Sequence, residues 1–194
     1  MTYWVKGEKY MNLPNKLTLL RIILIPIFMV FLFLKKDYPG YSELFALVTF
    51  IIAAVTDGLD GYLARKNQCV TKFGKILDPL ADKLLISAAL IAFVALKEIS
   101  AWAAVIIIGR ELAITGLRVI AASEGTVISA NKWGKWKTGL QIAAIIAVIL
   151  SPEIIYLPCH LANILIWIAV LMTVYSGYIY FKDADIDFFH EEKS

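Results

Sequence analysis

Four carboxylates stand at helical spacing within strongly apolar sequence: Asp57, Asp60, Asp78 and Asp82. They occur in D-G-L-D-G-Y-L-A-R (57–65) and G-K-I-L-D-P-L-A-D (74–82). A carboxylate at membrane depth is costly and by default marks a functional site. Asp57, Asp60, Gly61, Ala64 and Arg65 fall at i, i+3, i+4, i+7 and i+8, which is one stripe of a helix. Gly74, Asp78 and Asp82 fall at i, i+4 and i+8 and form a second stripe. Each stripe sets acids beside small residues, so a ligand can approach the backbone next to hard oxygen donors. Arg65 closes the first stripe, where a guanidinium can pair with a phosphate. Carboxylates without His or Cys suit Mg²⁺ or Mn²⁺. Four of them from two facing helices suit a two-ion centre that clamps a pyrophosphate. The carboxylate least engaged by metal is a candidate general base. The competing reading is helix capping, or structural ion pairs with Lys75, Lys83 or Arg65. Four acids with glycines on the same faces argue against it.

The elements that must position these groups are apolar helices. The chain has 194 residues, 60% of them hydrophobic and only 18% charged, with a mean hydropathy of +0.73. That composition is far from a soluble domain and from a nucleic-acid binder, and it indicates an all-α, polytopic membrane protein. Six apolar stretches are long enough to span about 30 Å. They predict transmembrane helices near 16–34, 42–64, 75–96, 101–121, 133–150 and 161–181, making one catalytic domain over 16–182. Residues 1–15, with Tyr3, Trp4, Tyr10, Lys6 and Lys9, suit an interfacial segment, of which 1–10 read as an extension. The acidic stretch 183–194 reads as a solvated tail, with His190 a bystander. Cys69 and Cys159 fall in connections expected on opposite faces, so no disulfide is predicted.

The basic residues orient the bundle. With a cytoplasmic N-terminus, 14 Lys and Arg fall on the inner side and only Lys35, Lys36 and Lys97 on the outer side. Asp57 then lies roughly 22 Å from the outer end of its helix, and Asp78 and Asp82 lie in the first two turns of theirs. All four converge at the cytoplasmic headgroup level of the cell membrane. A second cationic cluster shares that side: Arg118, Lys132, Lys135 and Lys137. Cations facing an acidic metal site suit an acceptor that itself carries phosphate. The competing reading makes them positive-inside residues on anionic lipid, with Trp133 and Trp136 as anchors. Arg110 and Glu111 lie inside the fourth helix, as cavity contacts or as an internal ion pair. Asn15, Thr18 and Arg21 recur every three residues on the first helix, where Asn15 is also a candidate N-cap.

The pattern D-G-x-x-D-G-x-x-A-R, eight residues, G, three residues, D, three residues, D resembles the signature of the CDP-alcohol phosphotransferase family. Asp57, Asp60, Gly61, Ala64, Arg65, Gly74, Asp78 and Asp82 match it at every defining position. The resemblance implies displacement of CMP from a CDP-linked lipid by an alcohol. It implies that Asp57, Asp60 and Asp78 bind metal, and that Asp82 binds the second ion or acts as base towards the acceptor hydroxyl. Gly61, Arg65 and Gly74 would line the CDP pocket with Ala64, and Asn15 and Thr18 could face the nucleotide. The segments N-K-L-T-L-L-R (15–21), G-R-E (109–111), G-L-R-V-I-A-A-S-E-G (116–125) and N-K-W-G-K-W-K-T (131–138) also resemble the phosphatidylglycerophosphate synthases of that family. That implies CDP-diacylglycerol as donor and sn-glycerol 3-phosphate as acceptor, its phosphate held by Arg110, Arg118, Lys132 and Lys135. Inositol phosphate, serine or phosphatidylglycerol are the rival acceptors, and a cation transporter is the rival from another class. Membrane lipids are the expected surroundings and a homodimer the expected assembly, with small residues on the third and fourth helices allowing close packing.

Overall fold

A computed structural model describes residues 13–67, 72–123, 132–150 and 159–183. Within them, the side chains at 13–15, 57–67, 72–80, 82, 120–123, 132–133, 135, 159–160 and 183 are not described. Six helices account for the described chain: α1 (Leu13–Phe33), α2 (Tyr41–Asn67), α3 (Lys72–Ala95), α4 (Ala101–Ser123), α5 (Lys132–Ile149) and α6 (Cys159–Asp183). A 3-10 turn, Leu34–Lys36, follows α1, and no strand occurs among the described residues. The all-α expectation therefore holds. The described boundaries reach past the expected ones by one to three residues at most ends. Hydropathy marks where bilayer ends, whereas a helix continues through any sequence lacking a stop. Arg65-Lys66-Asn67 thus extends α2, and Lys72-Phe73-Gly74 extends α3. Asp78 consequently lies in the second turn of α3 and Asp82 in the third or fourth, deeper than the first two turns expected. α1 begins at Leu13, so Asn15 stands inside its first turn and is not its N-cap.

Helix α3 touches α1, α2, α4 and α5, so the second pair of aspartates is carried by the central helix. α1 packs against α2 and α3, and α6 packs against α4 and α5. The core between α1, α2 and α3 is built from Phe28, Leu32, Ala46, Phe50, Ala53, Ala89, Leu90 and Phe93, all essentially buried. The Phe28 and Phe50 rings meet at 5.5 Å between centroids. Ala89, Ala92, Ala103 and Ala104 are spent inside this one chain, where they are buried. The outward faces are no less apolar: Ile23, Val30, Val48, Ile91, Val105, Leu112 and Leu171 are all exposed. Water would not tolerate that surface in a monomer, whereas lipid does. Among the described residues, Lys16–Lys36 and Leu161–Lys182 are long and apolar enough on their own to cross a membrane. Tyr41–Thr56, Lys83–Ala95 and Trp136–Ile149 are shorter apolar runs. In α4 the run is interrupted by Arg110, Glu111 and Arg118.

At the end of the bundle holding the α1–α2 and α3–α4 connections, three charges meet. Lys35 Nζ lies 2.9 Å from Glu43 Oε1 and 2.8 Å from Glu98 Oε1. The turn that delivers Glu98 is a Schellman motif: Glu98 N–H donates to Phe93 O and Lys97 N–H donates to Val94 O. Lys97 takes the left-handed position, at φ 62°, that glycine usually fills. Ser100 then caps α4, its Oγ accepting from Trp102 N–H.

Candidate active site

The opposite end collects the chemistry. Because the helices alternate in direction, the C-terminal part of α2 and the N-terminal part of α3 lie at that end. Asp57, Asp60, Gly61, Ala64 and Arg65 stand on α2, and Gly74, Asp78 and Asp82 on α3, two helices in contact. Their side chains lie outside the described ones, as do those of Asn15, Lys132 and Lys135 and the whole of Cys69 and His190. A donor set of four carboxylates on touching helices fits hard divalent cations and not soft ones. Leading towards this region from α1, Thr18 and Arg21 are fully buried. A fully buried arginine near a bundle end, among apolar helices, must answer an acidic or polar environment. Thr56, just before Asp57, is buried as well, its hydroxyl donating to Ala53 O at 2.7 Å. That bond folds the threonine back onto its own helix.

Beside the aspartate helices lies a cavity of about 380 Å³. α3 contributes Lys83, the residue after Asp82; α4 contributes Arg110, Glu111, Thr115 and Arg118; α5 contributes Gly134, Lys137 and Thr138. Among the described side chains, four cations, Lys83, Arg110, Arg118 and Lys137, line it with one carboxylate, Glu111. A cluster of like charges at a partly apolar site is unfavourable unless an anion completes it. Arg110 and Arg118 both line this cavity. Lys137, which that reading divides between lipid contact and ligand contact, is buried and paired with Glu111, so it is no lipid-facing anchor. The two readings of Arg110 and Glu111 prove compatible: both line the cavity, and Arg110 Nη1 lies 3.4 Å from Glu111 Oε1.

What the sequence reading misses is the part played by α6. Thr173, Ser176, Gly177 and Tyr180 recur at i, i+3, i+4 and i+7 and are buried along one face. Thr173 accepts a hydrogen bond from Gln141 Nε2 on α5 at 3.2 Å. Ser176 Oγ accepts from Arg110 Nη2 at 2.6 Å. Tyr180 Oη accepts from Arg118 Nε at 3.0 Å, and the Arg118 guanidinium also sits 5.4 Å from the Tyr180 ring centroid. In sequence these are small or aromatic residues scattered through an apolar helix. The only available signal was their helical period.

The arrangement sets a cationic cavity beside two helices that carry four aspartates. Known proteins resemble the chain over most of its length. The family model of the CDP-alcohol phosphatidyltransferases matches residues 11–175. The chain is 47% identical over 183 residues to the CDP-diacylglycerol–glycerol-3-phosphate 3-phosphatidyltransferase of Bacillus subtilis, covering 88% of this chain and 94% of that protein. It is 39% identical over 178 residues to the Haemophilus influenzae protein of the same name, covering 89% and 93%. It is 39% identical over 170 residues to a probable phosphatidylglycerophosphate synthase of Mycobacterium tuberculosis, covering 87% and 79%.

Proposed function

The chain belongs to the CDP-alcohol phosphatidyltransferase family, and from that premise we infer its reaction. It transfers the phosphatidyl group of CDP-diacylglycerol to sn-glycerol 3-phosphate, giving phosphatidylglycerophosphate and CMP. The observation that supports this acceptor is the cavity lined by Lys83, Arg110, Arg118 and Lys137 beside the aspartate helices. Serine brings no phosphate to these cations, and phosphatidylglycerol brings only a phosphodiester monoanion. Inositol phosphate would fill the charge, and it is the acceptor that competition must exclude.

In the proposed site, Asp57, Asp60 and Asp78 hold divalent cations, Mg²⁺ or Mn²⁺, with Asp82 as a further ligand or as the base. When bound, such ions neutralise charge along the pyrophosphate. Gly61, Ala64, Arg65 and Gly74, with Asn15 and Thr18 from α1, hold the cytidine diphosphate. Arg110 and Arg118 bind the acceptor's phosphate, with Lys132 and Lys135 as further cations of the same side and Lys137 within the cavity. The free primary hydroxyl of the acceptor gives its proton to Asp82 while its oxygen bonds to the β-phosphorus. The bond from that phosphorus to the bridging oxygen breaks, and CMP leaves with the electron pair. Arg65 faces the charge that accumulates on CMP. Most of the acceleration comes from alignment and from charges fixed before reaction.

The proposed setting is a six-span bundle in the cell membrane with the site facing the cytoplasm, the acyl chains passing between helices into lipid. The apolar outward faces and the fourteen inner basic residues support it. A homodimer is part of the proposal, to be checked by mass measurement of the protein in detergent or nanodiscs. The test of the reaction is CMP release by purified protein with CDP-diacylglycerol and Mg²⁺, each acceptor supplied alone. Release with glycerol 3-phosphate only, abolished by EDTA, is expected. Release with inositol phosphate instead would overturn the acceptor, and ion flux without CMP release would overturn the reaction.

A further inference from the structure

The two arginines of α4 do not stand by themselves. Each uses part of its guanidinium on a different residue of α6, and the two contacts are one helical turn apart. Ser176 Oγ takes Arg110 Nη2 at 2.6 Å, and Tyr180 Oη takes Arg118 Nε at 3.0 Å. Both α6 residues are buried, Ser176 with 3% and Tyr180 with 5% of their surface exposed. Between them lies Gly177. A Cβ placed there would come within 3.3 Å of Arg110 Cγ and 3.6 Å of Arg110 Nε. The glycine therefore makes room for the stem of Arg110 to lie flat against α6. On the other side Glu111 holds Arg110 at 3.4 Å and also pairs with Lys137.

We propose that Ser176, Gly177 and Tyr180 are positioning residues that set the two α4 arginines for the acceptor's anionic group, making α6 a determinant of acceptor affinity. This rests on the reading of the cavity as the acceptor site. An arginine has five donors in a fixed planar fork. Engaging Nε of Arg118 fixes the plane and leaves the Nη donors for an anion in the cavity that Arg118 lines. On Arg110, Ser176 takes Nη2 and Glu111 lies at 3.4 Å from Nη1, which fixes the second guanidinium while each Nη keeps a second N–H. A bidentate anion site needs such fixed forks more than it needs further charge. Without the α6 contacts, each guanidinium would sample many rotamers, and binding would bear the cost of ordering it.

The test uses full-length protein in detergent with Tyr180→Phe, Ser176→Ala, Ser176→Thr and Gly177→Leu. Two quantities are measured: the dissociation constant of glycerol 3-phosphate without CDP-diacylglycerol, and the KM of each substrate in turnover. Tyr180→Phe and Ser176→Ala are each expected to weaken glycerol 3-phosphate about tenfold, as loss of a hydrogen bond to a charged group does. The KM for CDP-diacylglycerol should stay at its wild-type value. Ser176→Thr, which keeps the hydroxyl, should restore affinity, and Gly177→Leu should weaken it further by displacing Arg110. In an Arg118→Ala background, Tyr180→Phe should add nothing. Unchanged glycerol 3-phosphate affinity in folded Tyr180→Phe and Ser176→Ala overturns the proposal, as does an equal rise in both KM values. Wild-type protein that binds glycerol 3-phosphate with these dependences but releases no CMP overturns the proposed reaction and leaves the positioning role standing.

Discussion

The two ends of the bundle bury charge in opposite proportions. At the end of the α1–α2 turn, one lysine meets two glutamates, with Glu43 fully buried. At the other end, among the described side chains, four cations line one cavity with a single glutamate. The first cluster joins the 3-10 turn after α1, the first turn of α2 and the α3–α4 connection, so its ion pairs hold chain to chain. The second surrounds a space of about 380 Å³. Buried ions thus tie segments together at one end of the bundle and line a cavity at the other.

That contrast predicts which property each end controls. The largest effect should come from Asp78→Asn. Removing a carboxylate of the proposed metal set should lower turnover by about a thousandfold, several kcal/mol of transition-state charge stabilisation. The thermal transition in detergent should not fall; a well-folded variant with normal CMP release would break the assignment of chemistry to this end. Next in size is Lys35→Met, which leaves two carboxylates without their cation. It should cost about 3 kcal/mol of stability, read as a lower unfolding temperature, with both KM values of the folded protein unchanged. Adding Glu43→Gln should recover part of the loss. A changed acceptor KM in Lys35→Met would blur the contrast. Smaller is Lys137→Ala, expected to raise the KM for glycerol 3-phosphate about tenfold by removing one charge-assisted contact, with the KM for CDP-diacylglycerol flat. Smallest is Lys97→Gly at the left-handed position of the Schellman turn. It should stabilise the protein by about 1 kcal/mol and leave both KM values alone, as expected of an end that only holds structure.

The six helices were legible because long apolar runs are a strong one-dimensional signal, although among the described residues only Lys16–Lys36 and Leu161–Lys182 are long and apolar enough to cross a membrane. The aspartates stood out because acids in such runs are rare; they are carried on α2 and α3, with their side chains outside the described ones. The ends of α2 and α3 were placed short because Arg65, Lys66 and Lys72 are polar yet continue a helix readily. Lys137 stayed ambiguous until its partner was known, since Glu111 lies 26 residues away. Ser176 and Tyr180 gave no sign of their role because their partners are 66 and 62 residues distant and belong to another helix. Glu43 and Glu98 passed unremarked for the same reason. Periodicity reports which face of one helix is special, but not which other helix it meets.

The pairing of α4 with α6 also has a consequence in time. Both run in the same direction, so α5 has to cross back before Arg110 can reach Ser176 and Arg118 can reach Tyr180. A nascent chain emerging from the ribosome presents its aspartates early, on the second and third helices, and its arginines soon after. The residues of α6 that meet those arginines are translated only after all of these. A chain cut before α6 therefore carries the full signature but lacks the contacts that Ser176 and Tyr180 make with Arg110 and Arg118.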